Sequence, residues 1–143
     1  MTVRGILLDT NVLSELMRAK PATEVLSWFE RKADTPFFVS AITRAEILLG
    51  VALLPAGKRR DKLAEITEQM FAEDFAERSL AFDGRCANEY ALLVAVRTRH
   101  GHSISTEDAQ IAAIALANDL PLATRNIKDF KGIDGLTVLN PWV

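Results

Sequence analysis

Ile6-Leu7-Leu8-Asp9-Thr10-Asn11-Val12 is the stretch that decides the fold of this 143-residue chain. Its apolar part is short and rich in branched residues, which is typical of a strand buried on both faces of a parallel sheet. Helix-forming residues begin at Leu13, so the chain must turn from strand into helix, with Thr10 or Asn11 available as the cap. Because ligands bind at the carboxyl ends of strands in open α/β sheets, Asp9 is either a helix cap or a functional acid.

The rest of the chain alternates short strands with helices. Turn residues separate these segments, and strands that alternate with helices indicate a mostly parallel sheet covered on both sides. We therefore predict an α/β fold in a single domain, residues 1–143, with four or five short strands and about six or seven helices. Beyond the first strand and its helix, the predicted strands are 37–39, 80–82, 121–124 and 136–139. One predicted helix begins at residue 21. The other predicted helices are 41–54, 58–76, 85–99 and 106 to about 118.

Composition and charge narrow the function classes. Hydrophobic residues make up 49% and charged residues 25% of the chain, as in ordinary soluble proteins, and no apolar run is long enough to cross a membrane. The start, Met1-Thr2-Val3-Arg4, lacks the ordered regions of a secretion signal, so we expect a cytoplasmic protein. One cysteine, Cys86, excludes an intrachain disulfide and a cysteine-based metal cage.

The net charge of −2 and the pI near 5.7 argue against nucleic-acid binding by a broad basic surface. A nuclease remains possible if a bound cation holds the phosphate locally. Two basic clusters could steer RNA or could be solvated helix ends. They are Lys58-Arg59-Arg60 with Lys62, and Arg97 with Arg99 and His100.

Two acids fall within the apolar stripes of predicted helices. In the helix from Ala41, apolar residues with helical spacing predict the core-facing stripe Ile42, Ala45, Leu49 and Leu53. Glu46 lies within that stripe. In the helix from Thr106, the corresponding stripe is Ile111, Ala112 and Ala115, and Asp108 lies on it. A buried ion costs several kcal/mol unless it is paired or bound to metal, so both acids require an explanation.

Three explanations compete for these acids. Each could pair with a buried base, Arg44 or Arg125, or each could lie at the wet end of its helix, where the macrodipole stabilises an anion. Alternatively Asp9, Glu46 and Asp108 converge on one pocket and bind a divalent cation that neutralises their repulsion. Oxygen ligands without Cys or suitably spaced His suit Mg²⁺ or Mn²⁺ rather than Zn²⁺. For the three acids together we favour the shared pocket.

Asn126 extends the predicted pocket. It follows the strand that ends at Thr124 as Asp9 follows the first strand, so the two side chains could lie at neighbouring strand ends. A turn residue is the alternative, since Asn is common in turns.

Four stretches carry the motifs of this chain: LLDTNVLSE at 7–15, SAITRAEILLG at 40–50, DAQIAA at 108–113 and ATRNIKDF at 123–130. They closely resemble, in order, the motifs of PIN-domain ribonucleases, with the greatest likeness to the VapC and FitB toxins of bacterial toxin–antitoxin pairs. The likeness runs nearly end to end and includes Asn140-Pro141-Trp142. It implies a PIN-like fold and cleavage of RNA that depends on Mg²⁺ or Mn²⁺.

The resemblance also implies roles for particular residues. The acidic metal ligands of the family are matched by Asp9, Glu46 and Asp108. A fourth catalytic acid of many members is replaced by Asn126, whose amide oxygen can coordinate but adds no negative charge, so the number of bound ions is left open. The supporting polar residues of the family are matched by Thr10, Asn11 and Thr124.

Partners follow from the same resemblance. It implies a homodimer, neutralised by a small antitoxin whose DNA-binding part provides the contact with operator DNA. The apolar faces of the second to fourth helices exceed what one domain can cover, which fits such contacts.

Two other functions compete with the nuclease. One is a catalytically silent PIN-like scaffold that binds protein or RNA, which Asn126 and the acidic pI favour. The other is a haloacid-dehalogenase-type phosphatase with Asp9 as nucleophile, which needs a second Asp where this chain has Asn11.

Overall fold

The computed structural model describes residues 4–143. Met1, Thr2 and Val3, on which the expectation of a missing secretion signal largely depends, lie outside the described residues. The centre of the molecule is a sheet in which every neighbouring pair of strands is parallel, in the order β3-β2-β1-β4-β5. The strands are β1 Ile6–Leu8, β2 Phe37–Ser40, β3 Ser79–Leu80, β4 Leu122–Ala123 and β5 Val138–Leu139.

Seven α-helices surround the sheet within residues 4–143, and none of them has the length and apolar character needed to cross a membrane. The predicted fold class is therefore confirmed. The helices are α1 Thr10–Leu16, α2 Thr23–Arg31, α3 Ala41–Ala52, α4 Lys58–Gln69, α5 Gly84–Arg99, α6 Thr106–Ala117 and α7 Ile127–Phe130, and a π-helical turn, Met70–Asp74, continues α4. The sequence did not predict α7, because four residues are too few for a helical period to be visible.

Two apolar clusters cover the two faces of the sheet. Successive residues of a strand point to opposite faces, and β1 shows this directly. Leu7 packs into a cluster with α5 and α6 residues, whereas Ile6 and Leu8 pack into a cluster with residues of α1, α2 and α3. All three β1 side chains are buried, as predicted for a central parallel strand. The strand ends at Leu8, which places Asp9 at its carboxyl end.

Gly5 fixes the way in which the chain approaches β1. Its φ is +154°, and a Cβ atom there would lie 2.8 Å from the carbonyl oxygen of Pro36. Because Ile6 N donates to the same carbonyl at 3.1 Å, the backbones must approach closely at this point. Glycine is the residue that allows both the conformation and the approach.

The face of α3 that packs on the core differs from the prediction. Thr43 and Ile47 are buried, whereas Leu49 and Leu53 of the predicted core stripe are 59% and 75% exposed. Glu46 is exposed as well. Apolar residues surround most of α3, so their spacing could not select the face that contacts the sheet. In α6 the prediction is confirmed, since the stripe residues Ile111, Ala112 and Ala115 are buried.

Candidate functional site

Asp9 and Thr124 meet at the carboxyl ends of two adjacent strands. The parallel register pairs Leu8 of β1 with Ala123 of β4, so the next residue of each strand emerges at the same edge of the sheet. Thr124 Oγ1 donates to Asp9 Oδ2 at 2.7 Å, and Asn11 Nδ2 lies 3.4 Å from the same oxygen. Asp9 is 4% exposed and Thr124 is fully buried. The strand-end placement therefore holds both side chains rigidly.

Asp9 is also the N-cap of α1. Its Oδ1 accepts a hydrogen bond from Thr10 N at 2.8 Å, which satisfies one of the free amides at the helix start. Burial raises the pKa of Asp9 to about 6, against the opposing hydrogen bonds from Thr124 and Thr10, and the charges of Asp108 and Glu46 raise it further. The three acids are thus close enough for their charges to interact.

Thr10 links the start of α1 to Glu46 on α3. Thr10 Oγ1 lies 2.7 Å from Glu46 Oε1 and 3.0 Å from Thr43 Oγ1. Because a carboxylate only accepts, the Thr10 hydroxyl donates to Glu46. Ser40 caps α3 by accepting from Thr43 N at 3.0 Å, which fixes the first turns of this helix beside α1. Glu46 therefore reaches the site from an exposed face of α3.

Asp108 lies in the first turn of α6 and is half-buried. Ser105 Oγ caps this helix by accepting from Asp108 N at 3.1 Å. The pKa of Asp108 is raised, first by burial and then by the charges of Asp129, Glu46 and Glu107, while the hydrogen bond with Ser105 lowers it. The charge of Asp129 on α7 thus acts on Asp108. Sequence reasoning gave Asp129 no role, since its helix was not predicted.

Asn126 joins the site through its backbone. Asn126 N donates to Thr124 Oγ1 at 3.1 Å, and the neighbouring Arg125 N donates to Asn11 Oδ1 at 3.2 Å. Asn11 and Thr124 thereby hold the loop that leaves β4 against the start of α1. The Asn126 side chain is exposed at the start of α7.

No base neutralises the three acids in the described part of the chain. Its two salt bridges join Arg18 to Glu15 and Arg85 to Asp83. The guanidinium groups of Arg44 and Arg125 lie over the rings of Phe71 and Trp142. Pairing with a buried arginine, one of the explanations that the sequence left open, is therefore wrong.

The donor set fits a hard cation in its chemistry. Asp9, Glu46 and Asp108 offer carboxylate oxygens, which Mg²⁺ and Mn²⁺ prefer, and each carboxylate accepts more bonds than its hydrogen bonds use. Within residues 4–143, however, no three Asp, Glu, His or Cys side chains lie close enough together to form a ready-made cation cage. Closing one requires movement of the exposed Glu46 or of Asp108, while Asp9 is held by its hydrogen bonds.

Comparison with known proteins gives consistent matches along the chain. The family model of the PIN domain matches residues 6–136. The plasmid stability protein StbB of Pseudomonas syringae pv. tomato is 47% identical over 137 residues, which cover 96% of this chain and 98% of that protein. Toxin FitB of Neisseria gonorrhoeae is 42% identical with the same coverage, and the VapC ribonuclease Y4jK of Sinorhizobium fredii is 40% identical over 96% of this chain and 97% of that protein.

Solved structures match equally well. FitAB bound to an IR36 DNA fragment has a TM-score of 0.89 and 41% identity, covering 96% of each chain. FitAcB from Neisseria gonorrhoeae has a TM-score of 0.88 and 42% identity, covering 96% of this chain and 98% of that one.

Proposed function

The chain belongs to the PIN-domain family. From that premise we propose that its acidic centre, formed by Asp9, Glu46 and Asp108, hydrolyses phosphodiester bonds of RNA with the help of Mg²⁺ or Mn²⁺. It is a ribonuclease toxin that an antitoxin neutralises: the relatives named toxin FitB and VapC ribonuclease are 42% and 40% identical to it along nearly its whole length. The observation that supports the proposal is that Asp9, Glu46 and Asp108 lie near enough for their charges to interact and have no neutralising base among the described residues.

Each residue of the centre has a role in this proposal. Asp9, Glu46 and Asp108 hold the cation, which when bound lowers the pKa of a water molecule and offsets charge on the phosphate. Thr124 and Asn11 orient Asp9, and Thr10 orients Glu46, through the hydrogen bonds described above. These hydrogen bonds set the orientation of the Asp9 and Glu46 carboxylates.

Asn126 is the fourth member of the proposed catalytic set. Its backbone is fixed to Thr124, and its side chain supplies an amide oxygen rather than a carboxylate. A second cation is therefore held less firmly than in relatives with an acid at this position. Asp129, whose charge acts on Asp108, is available to compensate for part of that missing charge.

An antitoxin partner follows from the FitAB matches, and operator DNA is reached through that antitoxin. We propose that a segment of the antitoxin covers the exposed apolar side of α3, where Leu48, Leu49 and Leu53 lie. Homodimer formation and a cytoplasmic location belong to the same proposal and are based on the family resemblance.

Replacement of Asp9 tests the centre. Asp9→Asn keeps the size of the side chain but removes the charge, and we expect the rate of RNA cleavage in Mn²⁺ to fall at least about 100-fold, since even groups that only support metal ligands contribute 10- to 100-fold. Asp61→Asn, a change of an exposed acid in the first turn of α4, serves as the control. Cleavage by purified Asp9→Asn at the parent rate would contradict the assignment.

A silent scaffold is the second candidate, because the acids do not form a ready-made cage in the described residues and Asn126 replaces an acid. Calorimetric titration with Mn²⁺ separates the two candidates. The nuclease requires binding that weakens in Glu46→Gln. Absence of binding, or equal binding by parent and variant, favours the scaffold.

A further inference from the structure

A basic cleft lies between the end of α5 and the segment that contains α7. It has a volume of about 450 Å³, within the range of roughly 300–1,000 Å³ that is typical of ligand pockets. No acidic residue lines it, and five of the residues that do are basic: Arg97, His100, His102, Lys128 and Lys131. A chain with a net charge of −2 thus concentrates positive charge in one concave place.

Arg97 joins the two walls of the cleft. Its guanidinium donates to the carbonyl oxygen of Lys131 at 3.1 Å and lies 3.5 Å from that of Ser103. Its Nε–H is buried and has no hydrogen-bond acceptor among residues 4–143. Buried donors normally have a partner in protein, water or ligand. The cleft therefore offers unused hydrogen-bond donors to a ligand that carries acceptor atoms.

His100 is oriented by its own helix. Its Nδ1 lies 2.8 Å from the carbonyl oxygen of Val96. Because a carbonyl only accepts, Nδ1 carries the proton in this contact, and Nε2 is the ring atom left for a ligand. The side chains of Lys128 and Lys131 are exposed on the opposite wall.

The charge of the cleft is not used in ion pairs. The two salt bridges of the described chain involve Arg18 and Arg85, neither of which lines the cleft. A base that is already in an ion pair must break that pair before it can bind another anion, which costs free energy. Bases without a carboxylate partner do not pay this cost. The cleft is therefore prepared for a ligand that supplies negative charge.

The cleft adjoins the acidic centre through α7. Lys128 faces the cleft, and the next residue, Asp129, is near enough to Asp108 for its charge to raise the pKa of that group. On the other wall, the segment after His102 leads within six residues to Asp108 itself. Consecutive residues of α7 thus belong to the cleft and to the surroundings of Asp108, which places an anion bound in the cleft near the acidic centre.

We propose that this cleft binds phosphate groups of the RNA strand whose scissile bond lies at the acidic centre. The inference builds on the proposed ribonuclease function and identifies where the strand is held outside the cation site. An RNA backbone fits better than an acidic protein segment, because the proposed substrate of the neighbouring acidic centre is itself a polyanion with regularly spaced phosphates. The cleft residues are positioning residues, since they do not contact the scissile bond.

Lys128→Gln/Lys131→Gln tests the cleft while leaving Arg97 in place to hold its walls. The control is Lys20→Gln/Arg31→Gln, which removes the same charge from exposed positions outside both basic clusters. Binding of a short single-stranded RNA of mixed sequence is measured in EDTA, where no cleavage occurs. We expect the cleft variant to bind RNA about 25-fold more weakly at about 0.1 M salt. The slope of log K against log salt concentration should become shallower by about 1.4, since each phosphate contact of a single strand contributes about 0.7 to it.

Three results would overturn the proposal. These are equal affinity of parent and cleft variant, an equal loss in the control variant, and a loss of binding to labelled polyglutamate with RNA binding unchanged. The last result would assign the cleft to an acidic protein segment.

Cleavage kinetics in Mn²⁺ keep the two proposals distinguishable. A higher KM with unchanged kcat in the cleft variant supports the cleft, because only substrate holding is weakened. If the parent protein binds RNA through the cleft but does not cleave it, the cleft proposal stands and the nuclease proposal is wrong. If the parent cleaves RNA and the cleft variant has the same KM, the nuclease proposal stands and the cleft proposal is wrong.

Discussion

Asp9 fulfils two structural roles with one carboxyl group. Oδ1 caps α1 through Thr10 N, and Oδ2 accepts from Thr124 and Asn11. The sequence left a helix cap and a functional acid as alternatives, but the structure shows that the cap does not exclude a place in the acidic centre. Removal of the carboxylate therefore affects both the local fold and the charge of the centre.

The raised pKa of Asp9 predicts a pH dependence of stability. Folding raises the pKa from 3.8 to about 6, so the folded state binds this proton more tightly than the unfolded state, and stability falls as pH rises between these values. Because one unit corresponds to 1.36 kcal/mol, Asp9 should destabilise the metal-free protein by about 2 kcal/mol at about pH 7 relative to about pH 4.

Urea unfolding of the parent and of Asp9→Asn in metal-free buffer measures this effect. The variant cannot ionise at this position, so its free energy of unfolding should gain on that of the parent as pH rises from about 4 to about 7. A difference between the two proteins that stays constant over this interval would show that the Asp9 pKa is not raised by folding.

The strand-end argument pointed to the correct edge of the sheet but to a different residue. It predicted the side chain of Asn126 beside Asp9, whereas Thr124 contacts the Asp9 carboxylate and Asn126 donates its backbone amide to Thr124. Thr124 was identified through the motif resemblance. Glu46 was identified from a stripe that proved to face outward, so that helical-phase argument was wrong and the motif resemblance is what pointed to it. Asp129 was missed, because a helix of four residues carries no usable period.

At the level of elements, the cap of α6 sets the position of Asp108. Ser105 Oγ accepts from Asp108 N, and loss of an N-cap costs about 1 kcal/mol. We expect Ser105→Ala to lower the free energy of unfolding by about that amount and to reduce cleavage through displacement of Asp108. Urea unfolding and RNA cleavage measure the two effects.

Ser103→Ala, at an exposed position two residues earlier, is the control and should change neither stability nor cleavage. Equal effects of both substitutions would contradict the role of the cap.

Helix and strand boundaries were predictable where caps and turns mark them. The starts of α3 and α6 lie at the predicted Ala41 and Thr106. The preceding residues, Ser40 and Ser105, accept the capping backbone hydrogen bonds. The end of α4 was not predictable, because the π-helical turn Met70–Asp74 continues the apolar pattern without a break. β3 also differs from the predicted 80–82, since it is Ser79–Leu80, and Phe82 instead packs against Tyr90.

For the whole molecule, the exposed apolar side of α3 predicts how the antitoxin binds. Leu49→Ser/Leu53→Ser should weaken binding of the antitoxin at least about 10-fold, because burial of one leucine contributes about 1.5–3 kcal/mol. The free energy of unfolding of the toxin alone should change little, since both side chains are exposed. Leu92→Ser, which alters an exposed leucine of α5, is the matched control. Titration of the purified antitoxin measures the affinities, and unchanged binding would assign the antitoxin to another surface.

The overall charge gave an incomplete prediction about nucleic acid. A net value of −2 argues against a broad basic surface, but it cannot show that bases from two distant segments line one cleft. Arg97 and His100 were visible as a cluster in the sequence, whereas Lys128 and Lys131 join them through the packing of α7 near the end of α5. The concentration of basic residues in one cleft is therefore visible only in the folded chain.

Both margins of the sheet, β3 and β5, are two residues long. Short outer strands offer an incoming chain few unpaired amide and carbonyl groups, which limits the growth of intermolecular sheets. The toxin without its antitoxin should therefore resist fibre formation. Self-association of the free toxin would start from the exposed leucines of α3.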